Sequence, residues 1–345
     1  MPAADRQHLH DQITALREIY LPYQALDDIQ QDLEILRQRD NRGSEGGILI
    51  LTGPSRSGKT KVLTDFARLH PEQPGAIRKP NGEFATRKPV VCVKVPDTNE
   101  KNLTERLLAA LLGVETREVK GMGTRRFDIQ DDILQVAAEI ETKLVVLDEA
   151  HQGIGNRDLK SVGVMSTVLK DLVNGGVFGM AVAGTDRARA LQEASDEFRE
   201  RCIYDYTLDA FNWDDPEHRR VLADVLREYD EHLRENVFGR LSGLAEPGIA
   251  SALCAAGGGL IGSVAVLVEN GGKMAADDML AGGAKCLTLD HLAKAFRKSS
   301  LRRVIECDPF PGAKENGTTA RVGPGVMTGL KGRTRQAGHD VQFRR

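Results

Sequence analysis

Residues 48–60 read Ile-Leu-Ile-Leu-Thr-Gly-Pro-Ser-Arg-Ser-Gly-Lys-Thr, and no other stretch narrows the possible folds so far. A short apolar run of this kind reads as a strand buried on both faces. The glycines at 53 and 58 permit backbone turns that a side chain would block. The apolar spacing from Lys59 to Leu69 is that of a helix. A buried strand that passes through a Gly-rich turn into a helix belongs to an α/β fold with a parallel sheet. The turn and the first helical residues, Gly53, Pro54, Ser55, Arg56, Ser57, Gly58, Lys59 and Thr60, match GxxxxGK[ST] in full, and Lys61 follows. In that setting the loop N–H groups and the helix N-terminus cradle phosphates. Lys59 is positioned to reach the β- and γ-phosphates, and Thr60 to ligate Mg²⁺ through its hydroxyl. A chance match in a Gly-rich turn is the alternative, and the flanking strand and helix argue against it.

Residues 143–149, Lys-Leu-Val-Val-Leu-Asp-Glu, supply a second half to the site. Four apolar residues make a central strand, and two carboxylates stand at its carboxyl end. Ligands of parallel sheets bind at that end, so Asp148 is expected beside the phosphate loop. Asp148 is expected to hold Mg²⁺, and Glu149 to polarise the attacking water as a general base. The bland reading is a pair of carboxylates capping a strand-to-helix turn. A further apolar run, 180–183, leads into Gly184-Thr185-Asp186. Thr185 is expected to touch the γ-phosphate or the attacking water; the alternative is a helix N-cap.

The rest of the chain repeats the alternation. Helical spacing runs through 5–38 with a break at Pro22, then 59–69, 102–112, 129–140, 161–172 and 188–194. Strands are expected at 48–51, 90–95, 144–147, 179–183 and 203–208. Residues 70–89 read as a loop or hairpin insertion, and 118–126 as a basic Gly-containing loop. After Phe211 only helices are expected, at 216–235, 247–256, 261–274 and 289–303. The organisation expected is a helical segment and linker at 1–45, an α/β core at 46–209, a small helical domain at 210–306 and a flexible basic tail at 307–345.

Composition excludes several classes. Of 345 residues, 41% are apolar and 28% charged, with a net charge of −3. That is ordinary for a globular chain and does not announce a nucleic-acid binder, although charge can be segregated locally. Cys92, Cys202, Cys254, Cys286 and Cys307 are odd in number and lack ligand spacing, against a disulfide scaffold or a zinc site. A reducing cytoplasm is the simple reading. The polar N-terminus lacks the apolar core of a signal peptide, and no apolar run reaches the roughly 20 residues that span a bilayer.

Gly53–Thr60, the Val-Val-Leu-Asp-Glu-Ala-His-Gln run at 145–152, the strand into Gly184-Thr185-Asp186, the Phe-Arg-Glu-Arg-Cys segment at 198–202 and the helical region behind them together resemble an AAA+ ATPase. The finer resemblance is to the TniB/TnsC family of transposition ATPases. It rests on Tyr20-Leu-Pro-Tyr23, Asp148-Glu-Ala-His-Gln152 and Phe211-Asn-Trp213. The fold implied is a three-layer core with a parallel sheet, followed by a small helical lid. The nucleotide implied is ATP with Mg²⁺. Tyr20–Tyr23 is expected to pack over the adenine or to be ordinary core. Arg201, with Arg199 as second choice, is implied as an arginine finger reaching a neighbouring subunit's nucleotide; a solvated helix face is the alternative.

Family members oligomerise on duplex DNA as rings or helical filaments in the ATP state. They recruit or activate a separate transposase, communicate with a target selector, and disassemble on hydrolysis. The resemblance thus implies a bacterial cytoplasmic protein that joins the nucleoid when active, with no membrane partner. It implies sequence-independent phosphate contacts from Lys94, Lys101, Lys120, Thr124, Arg125 and Arg126. Arg78, Lys79, Arg87 and Lys88 form a second basic cluster, and the tail from Gly325 carries five cations against one acid. Two departures stand out. Residues 259–263, where a lid arginine often senses nucleotide, hold none, and 209–217 are acidic. The competing expectations are a protein-binding AAA+ nucleotide switch and a helicase loader or initiator. The first usually carries repeats or a sensor domain and the second a winged helix, for which the chain has little room.

Overall fold

The computed structural model describes residues 3–19, 23–39, 46–80, 82–96, 100–121, 126–154, 159–305 and 308–310. In chain order the helices and strands are α1 (Ala3–Thr14), α2 (Gln24–Gln38), β1 (Ile48–Thr52), α3 (Lys59–Leu69), β2 (Gln73–Arg78), β3 (Phe84–Arg87), β4 (Val90–Lys94), α4 (Glu100–Leu112), α5 (Thr116–Gly121), α6 (Arg126–Glu139), β5 (Leu144–Asp148), α7 (Ala150–Ile154), α8 (Leu159–Asn174), β6 (Gly179–Ala183), α9 (Ala190–Glu193), α10 (Asp196–Arg201) and β7 (Cys202–Thr207). The helices α11 (Pro216–Leu233), α12 (Pro247–Gly257), α13 (Ile261–Leu280) and α14 (Leu289–Lys298) follow.

The main sheet has the order β4-β5-β6-β1-β7, and its pairings are parallel. Side chains alternate between its two faces. Ile48, Val145, Leu147, Met180 and Val182 point into a core shared with α4, α6 and α8. Leu49, Leu51, Leu144, Val146, Ala181 and Ala183 point into the other core, against α2 and α3. Both faces are covered, so the central strands carry consecutive apolar residues up to their carboxyl ends, where Thr52 and Asp148 stand, instead of apolar residues at alternate positions. The α2 stripe of Leu26, Ile29, Leu33 and Leu36 is buried there. Each such leucine contributes about 1.5–3 kcal/mol by leaving water.

The insertion at 70–89 is the antiparallel hairpin β2–β3, which pairs Arg78 with Phe84. The expected basic loop at 118–126 begins instead as a helix, α5. Glu118 reaches back to accept the Glu115 N–H at 3.1 Å, one arm of a capping box, and Val119 is fully buried. The helix expected at 289–303 stops at Lys298. Ser299 leaves the helical conformation, and its hydroxyl accepts the Leu301 N–H to start a separate 3₁₀ turn.

The chain divides into two compact units: residues 20–210 with 260–262, and residues 1–19, 211–259 and 263–345. The first helix therefore groups with the C-terminal helices. Arg6 pairs with Asp277 at 2.6 Å and Arg17 with the buried Glu269 at 2.6 Å. Ile13 is fully buried, and Gly272 leaves room for it: a β-carbon there would meet the Ile13 side chain at 3.1 Å. Among the described residues no single helix is long and apolar enough to cross a membrane.

Candidate active site

The site begins where β1 ends. Gly53 has φ +146°, and a β-carbon there would fall 2.2 Å from the Leu208 carbonyl oxygen. That oxygen is fixed in place, because the Leu208 N–H donates to Thr52 O at 2.9 Å. Only glycine fits. Gly58, at φ +106°, is the N-cap of α3. Between them Arg56 is held at φ +68°, a left-handed conformation that costs a non-glycine residue about 1–2 kcal/mol. The turn thus stores strain just where α3 begins and the first helical N–H groups lack intrahelical partners.

Lys59 is buried in this turn. Its ammonium donates to Gly53 O at 2.9 Å, Pro54 O at 2.7 Å and Ser57 Oγ at 3.3 Å. Burial pulls its pKa below the usual lysine value, while Asp148, Glu149 and Asp186 oppose that shift. The three carboxylates and the ammonium form one electrostatic group at the carboxyl ends of β1, β5 and β6. Thr60 Oγ1 donates to Asp148 Oδ2 at 2.7 Å, so residues 88 positions apart meet as the sequence requires. Asp148 Oδ1 accepts the Glu149 N–H at 2.8 Å.

Glu149 has φ +58°, a second left-handed residue at the site. Its Oε2 lies 3.3 Å from His151 Nε2 and accepts from Gln152 Nε2 at 3.5 Å. The other ring nitrogen, His151 Nδ1, accepts the Thr185 backbone N–H at 3.3 Å. Thr185 stands before the 3₁₀ turn Asp186–Arg189, and its side chain makes no cap hydrogen bond there.

The structure thus brings together Lys59, Thr60, Asp148, Glu149 and Thr185. Pro54, Ser55, Arg56, Ser57 and Lys61 complete the turn and the helix start; Lys61 pairs with Asp65 at 2.7 Å. Arg199 and Arg201 lie on α10. Arg199 pairs with Asp196 at 2.7 Å, and Arg201 Nε donates to Asn174 Oδ1 at 2.8 Å. Lys94 is exposed at the end of β4, in register with Asp148. Lys101, Lys120 and Arg126 have helical backbones, while Thr124 and Arg125 lie outside the described residues. Tyr20 lies outside them too; Tyr23 is described, and burial pushes its phenol up to about 12.

Sequence reasoning missed Asp186, His151 and Arg189 as members of this neighbourhood. Arg189 ties β1 to β7, donating to Thr52 Oγ1 at 3.1 Å and Thr207 Oγ1 at 2.6 Å, with Asp205 at 3.0 Å. No local pattern marks it. His151 stands two positions after Glu149, and its residue type is the signal the sequence offers.

A parallel sheet that presents a phosphate turn on β1 and an Asp-Glu pair on β5, followed by helices, defines an AAA+ P-loop ATPase. The sequence family described as bacterial TniB protein matches residues 13–206, more than half of the chain, and the chain belongs to that family. Among solved structures it is similar to the Cdc6 protein of Pyrobaculum aerophilum, with TM-score 0.51 and 14% identity over 80% of this chain and 68% of that one. It is equally similar to the Orc1 protein of Aeropyrum pernix, solved in complex with DNA, with TM-score 0.51 and 13% identity over 81% of this chain and 66% of that one. At such identity the likeness is one of fold. No curated protein sequence matches the chain.

Proposed function

We propose that this ATPase regulates transposition: it assembles on duplex DNA when ATP is bound, engages a separate transposase and a target selector, and is released by hydrolysis. The observation that carries the reading is the family match over 13–206, which spans both the phosphate turn and the Asp148–Glu149 pair. The Aeropyrum Orc1 fold, solved with DNA, supports duplex DNA as the partner.

The residues divide the work. Gly53–Thr60 and the α3 N-terminus receive the phosphates, and Lys59 exchanges its loop carbonyls for phosphate oxygens. Glu149 takes the proton of the attacking water. Thr185, at the end of the neighbouring strand, contacts the γ-phosphate or that water. The Thr60 hydroxyl and the Asp148 carboxylate are both hard oxygen donors within 2.7 Å of one another. No cluster of three or more His, Cys, Asp or Glu among the described residues could hold a metal. Such a sparse pair fits Mg²⁺, which takes one or two protein oxygens and completes its shell with phosphate and water. Bound there, Mg²⁺ would neutralise charge on the phosphate oxygens. Arg201, with Arg199 second, is assigned to the neighbouring copy's nucleotide in a ring or helical filament. Lys94, Lys101, Lys120, Thr124, Arg125 and Arg126 are assigned to the DNA backbone. A cytoplasmic, nucleoid-associated location follows from that role.

Negative-stain microscopy with light scattering, in a non-hydrolysable ATP analogue with and without a duplex of arbitrary sequence, tests the reading. Rings or filaments that need nucleotide and lengthen on DNA are expected. A monomer indifferent to duplex at low salt would overturn it in favour of a protein-binding nucleotide switch. The Cdc6-like and Orc1-like fold favours an initiator as the second reading. Assembly confined to one duplex sequence would select it.

A further inference from the structure

We propose that His151 is a positioning residue for Glu149, locked in one tautomer by the backbone of the neighbouring strand. The inference rests on the reading of Glu149 as the base. The Thr185 N–H donates to His151 Nδ1 at 3.3 Å. A ring nitrogen that accepts a hydrogen bond carries no proton, so in the neutral imidazole the proton sits on Nε2. Nε2 is the atom that lies 3.3 Å from Glu149 Oε2. The Thr185 amide therefore sets which nitrogen is the donor, and that nitrogen is the one beside the carboxylate.

The close approach is built into the fold. Gly184 precedes Thr185, and a β-carbon at 184 would come within 3.1 Å of the His151 amide nitrogen and 3.0 Å of the Ala188 β-carbon. Glycine at 184 lets the start of α7 settle against the end of β6, which places the imidazole between Glu149 and Thr185. The Gly184 N–H in turn donates to Leu51 O at 3.0 Å, so this strand end is tied to the strand that carries the phosphate turn.

The consequence concerns a long side chain at a left-handed residue. An unrestrained glutamate samples several rotamers, and ordering it costs free energy in every turnover. With Gln152 donating to Oε2 and His151 Nε2 beside it, Oε1 is left as the oxygen that accepts the proton of water. His151 neither gains nor loses a proton in the step. It transmits the position of Thr185 to Glu149, so a γ-phosphate that draws on Thr185 also aligns the base.

Single-turnover hydrolysis and equilibrium binding of a fluorescent ATP analogue, on the full chain assembled with duplex DNA, test this. Glu149→Gln is the reference: turnover falls about 10²–10⁴-fold if Glu149 is the base. His151→Ala is expected to lower kcat about tenfold to a hundredfold with nucleotide affinity unchanged, the signature of an interaction needed only in the transition state. His151→Gln keeps an acceptor and a donor on one side chain and is expected to recover most of the loss. His151→Ala added to Glu149→Gln is expected to cost nothing further. Normal turnover in Glu149→Gln would remove the base reading itself. An inactive Glu149→Gln beside a His151→Ala variant of unchanged kcat would overturn the positioning role. So would equal losses in His151→Ala and His151→Gln, or a His151→Ala variant that binds nucleotide as poorly as it turns over.

Discussion

Thr60 Oγ1 donates to Asp148 Oδ2 at 2.7 Å, which joins the first turn of α3 to the end of β5. This bond closes the site on itself and must open for the two oxygens to face a cation instead. Thr60→Val keeps the shape and removes the hydroxyl. A hydrogen bond to a carboxylate contributes about 1.5–3 kcal/mol net, and this one is exposed to water, so the effect on folding is at most of that size. The expected change lies in the metal. Nucleotide affinity of the wild type should fall when EDTA removes Mg²⁺, and Thr60→Val should flatten that dependence. Titrating Mg²⁺ at fixed nucleotide checks it; an unchanged Mg²⁺ response would take Thr60 out of the metal site.

Lys59 gives the second prediction. Its ammonium makes three bonds to the turn itself, at Gly53 O, Pro54 O and Ser57 Oγ. Nucleotide must replace these with bonds to phosphate, which are charge-assisted and stronger. Lys59→Ala removes about 1.5–3 kcal/mol for each such bond, so affinity for ATP should drop by at least about tenfold. Fluorescence anisotropy of a labelled ATP analogue reads this directly. Tight binding retained by Lys59→Ala would refute the assignment of the turn.

Much of this site was legible because its chemistry is local in sequence. The glycines of 53 and 58 sit where φ is +146° and +106°, and the apolar runs that became β1, β5 and β6 are buried throughout, save Asp148 at the end of β5. The partners of those runs were less readable. The α1 stripe showed a helical period, yet only the fold shows that Arg6 and Arg17 reach Asp277 and Glu269, more than 250 positions away. The Thr185–His151 contact depends on a backbone amide, which has no residue type to read. The sequence favours a loop over α5 because Gly121 and Gly123 weigh against helix, while one buried valine and a capping glutamate make it helical.

Gly53 carries the third prediction. A methyl group there meets the Leu208 carbonyl oxygen at 2.2 Å, and that oxygen belongs to backbone that cannot swing aside. The left-handed φ of +146° adds strain of its own. Gly53→Ala should therefore displace the turn, abolish nucleotide binding and lower Tm by several degrees, about 4 °C or more for a loss above 2 kcal/mol. Gly75, at φ +70° with nothing within 4 Å, is the control: Gly75→Ala meets only the backbone penalty and should bind nucleotide normally. Calorimetry and nucleotide anisotropy on the pair separate steric from conformational cost.

The last prediction concerns the arginines of α10. Arg201 Nε donates to Asn174 Oδ1 at 2.8 Å, and Arg199 pairs with Asp196 at 2.7 Å. The Arg199 pair is exposed and of the kind worth less than about 1 kcal/mol, so its loss should leave folding intact. An arginine finger, by contrast, contributes about 10³–10⁵ in turnover. Arg201→Ala is therefore expected to bind ATP as a monomer with wild-type affinity and to lose hydrolysis in the assembly, while Asn174→Ala should hydrolyse normally. Mixing decides between a role in the chain's own site and one in its neighbour's. Protomers of Arg201→Ala still own a complete phosphate turn, and protomers of Lys59→Ala still own Arg201. If the finger acts across the interface, the two inactive proteins should regain part of the wild-type rate when combined on DNA. If Arg201 serves its own nucleotide, no mixture recovers activity.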